Sequence, residues 1–123
     1  MSNTDNEVKP IVKKQSLIVT IVNKGSTDLV MNAARKAGGK GGTITIARGT
    51  GNPDLAKFYG LAIQPEKEMV FIVVDDTIKD KVMKQIYDEA GISTQGQGIS
   101  FSVPITDAIG LNPLNEDQDQ KAQ

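Results

Sequence analysis

The sequence predicts an α+β fold of the ferredoxin-like plan: a βαββαβ chain whose four strands form one antiparallel sheet with two helices on one face. Two observations carry that prediction. Two compact apolar runs, Leu17–Val22 and Met69–Val74, read as strands, and each is followed by a stretch with helical apolar spacing. Each helical stretch then ends at a glycine and leads into a segment of alternating character.

The elements follow in order. After Leu17–Val22, the residues Ser26, Thr27 and Asp28 are N-cap types, and Leu29, Val30, Ala33, Ala34 and Ala37 recur on one helical face up to Gly38. Thr43-Ile44-Thr45-Ile46 alternates as a half-solvated strand does. After Met69–Val74, Asp75 and Asp76 stand at a helix start and read as caps, and Thr77 with Asp80 forms a weak capping box. Ile78, Val82, Ile86 and Ala90 give a stripe repeating every four residues and closing at Gly91. Ile99-Ser100-Phe101-Ser102-Val103 is the last strand. Right-handed crossovers put both helices on the same side of the sheet.

That arrangement has a consequence for assembly. The two leading strands are apolar on both faces, with Leu17, Val19 and Ile21 on one side and Ile18 and Val22 on the other. The helices cover one face only, so the other is expected to be a subunit interface in a homo-oligomer.

Composition narrows the chemistry. With 123 residues there is room for one domain, expected at 16–112 between polar tails at 1–15 and 113–123. There is no Cys and no His, which removes disulfides, thiolate nucleophiles, imidazole proton shuttles and the usual zinc or copper ligands. No metal site is expected. Ser16, Ser26 and Ser93 have no imidazole to activate them, so no catalytic constellation is visible and the chain reads as a non-enzyme. Lys and Arg number 14 against 15 Asp and Glu, a balance that gives no general attraction to nucleic acid. Phe71 and Phe101, the aromatic residues on strands, read as core rather than as an RNA-stacking platform. Met1–Asn6 is polar and the apolar runs are too short to span a bilayer, so a cytoplasmic protein without membrane insertion is expected.

The link from Gly49 to Glu66 is long for a compact domain and carries Leu55, Phe58, Tyr59, Leu61 and Ile63. It reads as an element that docks on a partner or closes over a ligand. Gly49-Thr50-Gly51 and Gly96-Gln97-Gly98 allow close backbone approach to a ligand and can aim amide hydrogens at an anion. Gly38-Gly39-Lys40-Gly41-Gly42-Thr43 lacks the Walker spacing and follows a helix instead of opening one, so it is not read as a phosphate loop.

Taken together, the leading strand, Asp28 and Val30, Gly38, Thr43-Ile44-Thr45 running through Arg48 to Gly49-x-Gly51, then Lys67, Ile72-Val73-Val74-x-Asp76 and Gly96-x-Gly98 resemble the PII family of signal-transduction proteins over roughly residues 17–110. The resemblance implies a homotrimer. It implies an adenine nucleotide (ATP, ADP or AMP, with Mg only for ATP), often with 2-oxoglutarate, in three clefts between subunits. It also implies that the long loop engages a membrane transporter or a metabolic enzyme in nitrogen or carbon metabolism. By position, Ile21 and Thr43 would line the adenine pocket. Gly49, Gly51, Gly96 and Gly98 would supply backbone contacts, and Lys67 would be the loop-base lysine. Arg48 and Lys67 are the cations left for an anion, with Lys40 a further candidate. The loop residues Leu55, Phe58, Tyr59 and Leu61 would form the partner surface, though Tyr59 is not matched to the tyrosine modified in some members.

The chain also departs from the family pattern. Ile99 stands where a phosphate-binding lysine is usual, Gly110 and Asn112 stand where arginines are usual, and Pro53 falls at the glutamine position on the oxoglutarate side. Loss of charge-assisted contacts, at about 1.5–3 kcal/mol each, weakens polyphosphate binding. The alternative reading is a ligand-free trimeric adaptor whose loop binds a transporter or enzyme.

Overall fold

The computed structural model describes residues 14–50, 66–94 and 98–111. Six elements run in the predicted order: β1 (Gln15–Asn23), α1 (Thr27–Lys36), β2 (Thr43–Arg48), β3 (Glu66–Asp75), α2 (Asp76–Glu89) and β4 (Gly98–Ile105). The strands form one antiparallel sheet in the order β2-β3-β1-β4, which makes the two doubly apolar strands the central pair. This is the ferredoxin-like βαββαβ fold. Among the described residues no helix is long and apolar enough to cross a membrane.

The helix-covered face holds the hydrophobic core. Ile18, Val22, Val70, Ile72, Val30, Ala33, Val82 and Ile86 are fully buried together, joined by Met31, Ala34, Ala37, Val74 and Ala90. Each fully buried Val or Ile contributes about 1.5–3 kcal/mol relative to exposure. Two details differ from the periodicity. Leu29 is half exposed and Met31 takes its place in the core, because the helix face turned to the sheet is centred on Val30 and Ala34.

The α1 terminus is a Schellman turn: Gly38 N–H donates to Arg35 O (3.1 Å) and Gly39 N–H to Ala34 O (2.8 Å), with Gly38 at φ +106°. Gly91, at φ +79°, follows the end of α2 in the left-handed conformation that glycine favours.

The start of α2 corrects a sequence expectation. The helix begins at Asp76 with Asp75 at the N-cap position, so Thr77 and Asp80 lie inside it and form no capping box. Neither acid caps the helix through its side chain. The Asp75 carboxylate accepts from Gln15 Nε2 (3.0 Å), the Asp76 carboxylate accepts from Ser16 Oγ (2.5 Å), and Asp76 N–H donates to Lys14 O (3.0 Å). The antiparallel register places Gln15 opposite Asp75, so these side chains reach across the sheet rather than along the helix.

The face away from the helices is open in the single chain. Its cross-strand rows read Thr43–Phe71–Val19–Phe101 and Thr45–Met69–Ile21–Ile99, with Val73, Leu17 and Val103 beyond them. Val19 is only 5% exposed, since Phe71 and Phe101 flank it on both sides. Ile99 (56%), Phe101 (42%) and Val103 (45%) are exposed. Phe71 and Phe101 are therefore not core residues of the monomer. Strand alternation puts them on the uncovered face.

Candidate functional site

Antiparallel pairing of β1 with β3 sets the polar residues that follow one apolar run against those that precede the other. Asn23 lies opposite Lys67, and Val22 opposite Glu68. Three consecutive residues of β3 then grip three consecutive residues at the end of β1 and just beyond it. Glu66 pairs with Lys24 (2.9 Å), Lys67 Nζ donates to Asn23 Oδ1 (2.5 Å), and the Glu68 carboxylate accepts from Gly25 N–H (2.6 Å). The Lys24 ammonium, hydrogen-bonded to Glu66, holds that carboxyl below its ordinary value, and Arg48 adds a smaller push in the same direction. Glu66 in turn raises Lys24.

The neighbouring strands close on the same end of the sheet. Gly49 lies on the Lys67 stem: a Cβ there would stand 3.0 Å from Lys67 Cε and 3.3 Å from Cγ. Gly98 opens β4 against β1, where a Cβ would stand 2.6 Å from the Ile21 carbonyl oxygen, closer than real contacts allow. Only glycine lets β4 approach at that point. Ile21 itself pairs with Ile99 and Met69, and its side chain shares the open face with Lys67 and Asn23.

Five of the expected site residues, Ile21, Arg48, Gly49, Lys67 and Gly98, thus come together at one end of the sheet. Within one chain, two pairs of the expected residues stay apart. Arg48 lies opposite Glu66 and Ala47 opposite Lys67, so alternation turns Arg48 to the helix side while Lys67 is on the open side. The two cations do not converge on one point within a chain. Thr43, opposite Phe71, is at the far end of β2, about 14 Å along the strand from the residue facing Lys67. Thr43 and Ile21 share the open face but not a common pocket within one chain. Gly51, Gly96 and the loop residues Leu55, Phe58, Tyr59 and Leu61 lie outside the described residues, as does Asn112.

Sequence reading missed Asn23 and the Lys24–Glu66 and Gly25–Glu68 contacts. The signal was present as two short polar triplets, Asn23-Lys24-Gly25 and Glu66-Lys67-Glu68, flanking apolar runs that pair in antiparallel fashion.

Chemically, this end offers an ammonium held by a neutral amide carbonyl, a side-chain amide, glycine backbone and an apolar strip of Met69, Ile21 and Ile99. Such a set suits recognition of a small anion and contains no nucleophile paired with a base.

No curated protein matches the chain. Among solved structures, the crystal structure of Arabidopsis thaliana PII bound to citrate superposes with a TM-score of 0.64 at 24% identity, covering 80% of this chain and 84% of that one. At that identity the match speaks to the fold. The family model described as "Nitrogen regulatory protein P-II" matches residues 15–113, from the first residue of β1 to beyond the end of β4. With that match spanning all six elements of the fold, the chain belongs to the nitrogen regulatory protein P-II family.

Proposed function

We propose that the protein is a cytoplasmic, homotrimeric PII-like regulator. It binds an adenine nucleotide or related anionic metabolite in clefts between subunits, and it controls a transporter or metabolic enzyme through the loop at residues 49–66. The observation that carries this reading is the convergence of Lys67, Asn23, Gly49, Ile21 and Gly98 at the sheet end where that loop leaves and returns.

Three further points support it. The open face exposes Ile99, Phe101 and Val103, which copies of the chain would cover in a trimer. Since Arg48 and Thr43 do not meet Lys67 within one chain, a complete pocket draws them in from a different subunit or leaves them out. The Arabidopsis relative was crystallised with citrate, a small anion, which supports an anionic ligand here. If the ligand is ATP, Mg accompanies it.

The test is calorimetry of the purified protein against ATP, ADP and AMP, with and without Mg and 2-oxoglutarate, beside light scattering of the same sample. Saturable binding near one site per subunit on a trimer is expected. A monomeric species at micromolar concentration overturns the assembly, and no binding across the panel overturns the sensor. The second reading, a ligand-free trimeric adaptor, is favoured by Ile99, an exposed apolar residue beside the cleft. It is supported if no metabolite binds while the 49–66 loop still captures a transporter or enzyme domain.

A further inference from the structure

The distribution of charge at the sheet end points to a narrower ligand class, and the argument rests on the sensor reading above. Among the described residues at this end of the sheet, Lys67 is the cation on the open side. Its ammonium is held by the Asn23 amide carbonyl, a neutral acceptor that an anion can replace without breaking an ion pair. Arg48 is on the helix side of the sheet opposite Glu66, and Lys24 is bound to that same carboxylate at 2.9 Å. Glu68 is committed to the Gly25 amide. Two carboxylates therefore stand within the same cluster as Lys24, Arg48 and Lys67, and the group as a whole has one positive charge in excess. Beside Lys67 the open face is apolar, formed by Met69, Ile21 and the exposed Ile99.

A polyphosphate needs several donors or cations to replace its hydration, and each charge left without a partner is costly on entering a protein surface. One ammonium, one side-chain amide and an apolar strip match a different solute. We infer that the cleft selects a ligand with one acidic group, phosphate or carboxylate, on a flat apolar body, and discriminates against di- and triphosphates. The acidic group takes the Lys67 ammonium from Asn23, and the body lies along Ile21 and Ile99.

The experiment is calorimetry of the intact oligomer with adenosine, AMP, ADP and ATP in magnesium-free buffer at one ionic strength, with adenosine-5′-carboxylic acid as the carboxylate arm. AMP is expected to bind at least tenfold more tightly than ATP and at least tenfold more tightly than adenosine. The carboxylate arm tells which acidic group is preferred. In Lys67→Met the advantage of AMP over adenosine disappears. Ile99→Lys, which adds a second cation beside the apolar strip, is expected to raise ATP affinity about tenfold and to weaken AMP, so that the preference for AMP is lost. ATP binding more tightly than AMP in the unaltered protein overturns this inference and leaves the sensor reading standing. Absence of binding by every compound overturns both. An Ile99→Lys protein that remains trimeric with unchanged ATP affinity also overturns it.

Discussion

The two ends of the β1–β3 ladder are built from the same kinds of residue and do different work. At one end Gln15 reaches Asp75 and Ser16 reaches Asp76, so two acids are held by neutral donors next to the start of α2. At the other, about 27 Å away along β1, Lys67 is held by the neutral Asn23 carbonyl, next to Gly49 and Gly98. In the first case side chains fill the space and the strand is pinned to the helix that follows. In the second, glycines take the places where side chains would stand, and a cation is held by a neutral partner. Similar polar contacts therefore pin a strand to a helix at one end and, in the function proposed above, give way to a ligand at the other. The difference lies in whether the surrounding positions are filled.

Gly98→Ala should have the largest effect. Its methyl would collide with the Ile21 carbonyl at 2.6 Å, and overpacking of this kind costs about 1–3 kcal/mol. Denaturant unfolding is expected to show a loss towards the top of that range, with β4 displaced from β1. An unchanged midpoint would mean that the close approach is not needed, and the contrast between the two ends would lose its basis.

Lys67→Met sharpens the comparison from the ligand side. Loss of a charge-assisted contact weakens binding by about 1.5–3 kcal/mol, while stability changes little because the partner is a neutral amide near the surface. Calorimetry together with unfolding separates the two quantities. A stability loss without an affinity loss would make this end structural like the other.

Ser16→Ala is the matched change at the opposite end. It removes the bond to the Asp76 carboxylate and is expected to cost about 1.5 kcal/mol of stability with unaltered ligand affinity. Any change in affinity would show that the two ends communicate.

The smallest effect is on pH dependence. Glu66 titrates lower in the folded chain than its ordinary 4.5, so its contribution to stability is present above that value and is lost as pH falls through the folded pKa. Lys24 is raised above 10.5, so its contribution is present below that value and is lost as pH rises through the folded pKa. Both groups are exposed, and NMR titration of the Glu66 carboxyl is the measurement: its midpoint should rise towards the ordinary value in Lys24→Ala, with the smaller push from Arg48 remaining.

The six elements, their order and the central position of β1 and β3 were legible in the sequence. Apolar runs such as Leu17–Val22 and stripes such as Val82, Ile86 and Ala90 record burial locally, and helix or strand period is a property of neighbours along the chain. Gly38 and Gly91 were legible for the same reason, since a helix stop is decided within a few residues. At the loop end of the sheet, single residues such as Lys67, Gly49 and Gly98 stood out in the sequence, but their arrangement did not. Strand register alone sends Arg48 and Lys67 to opposite faces, places Thr43 a strand's length from Lys67, and brings Asn23 onto the Lys67 ammonium. It also turned the acids at the start of α2 from expected caps into partners of Gln15 and Ser16. These outcomes depend on pairings between residues far apart in sequence, where a shift of one residue reverses every face. Local pattern therefore determined what folds, and tertiary pairing decided which polar groups meet.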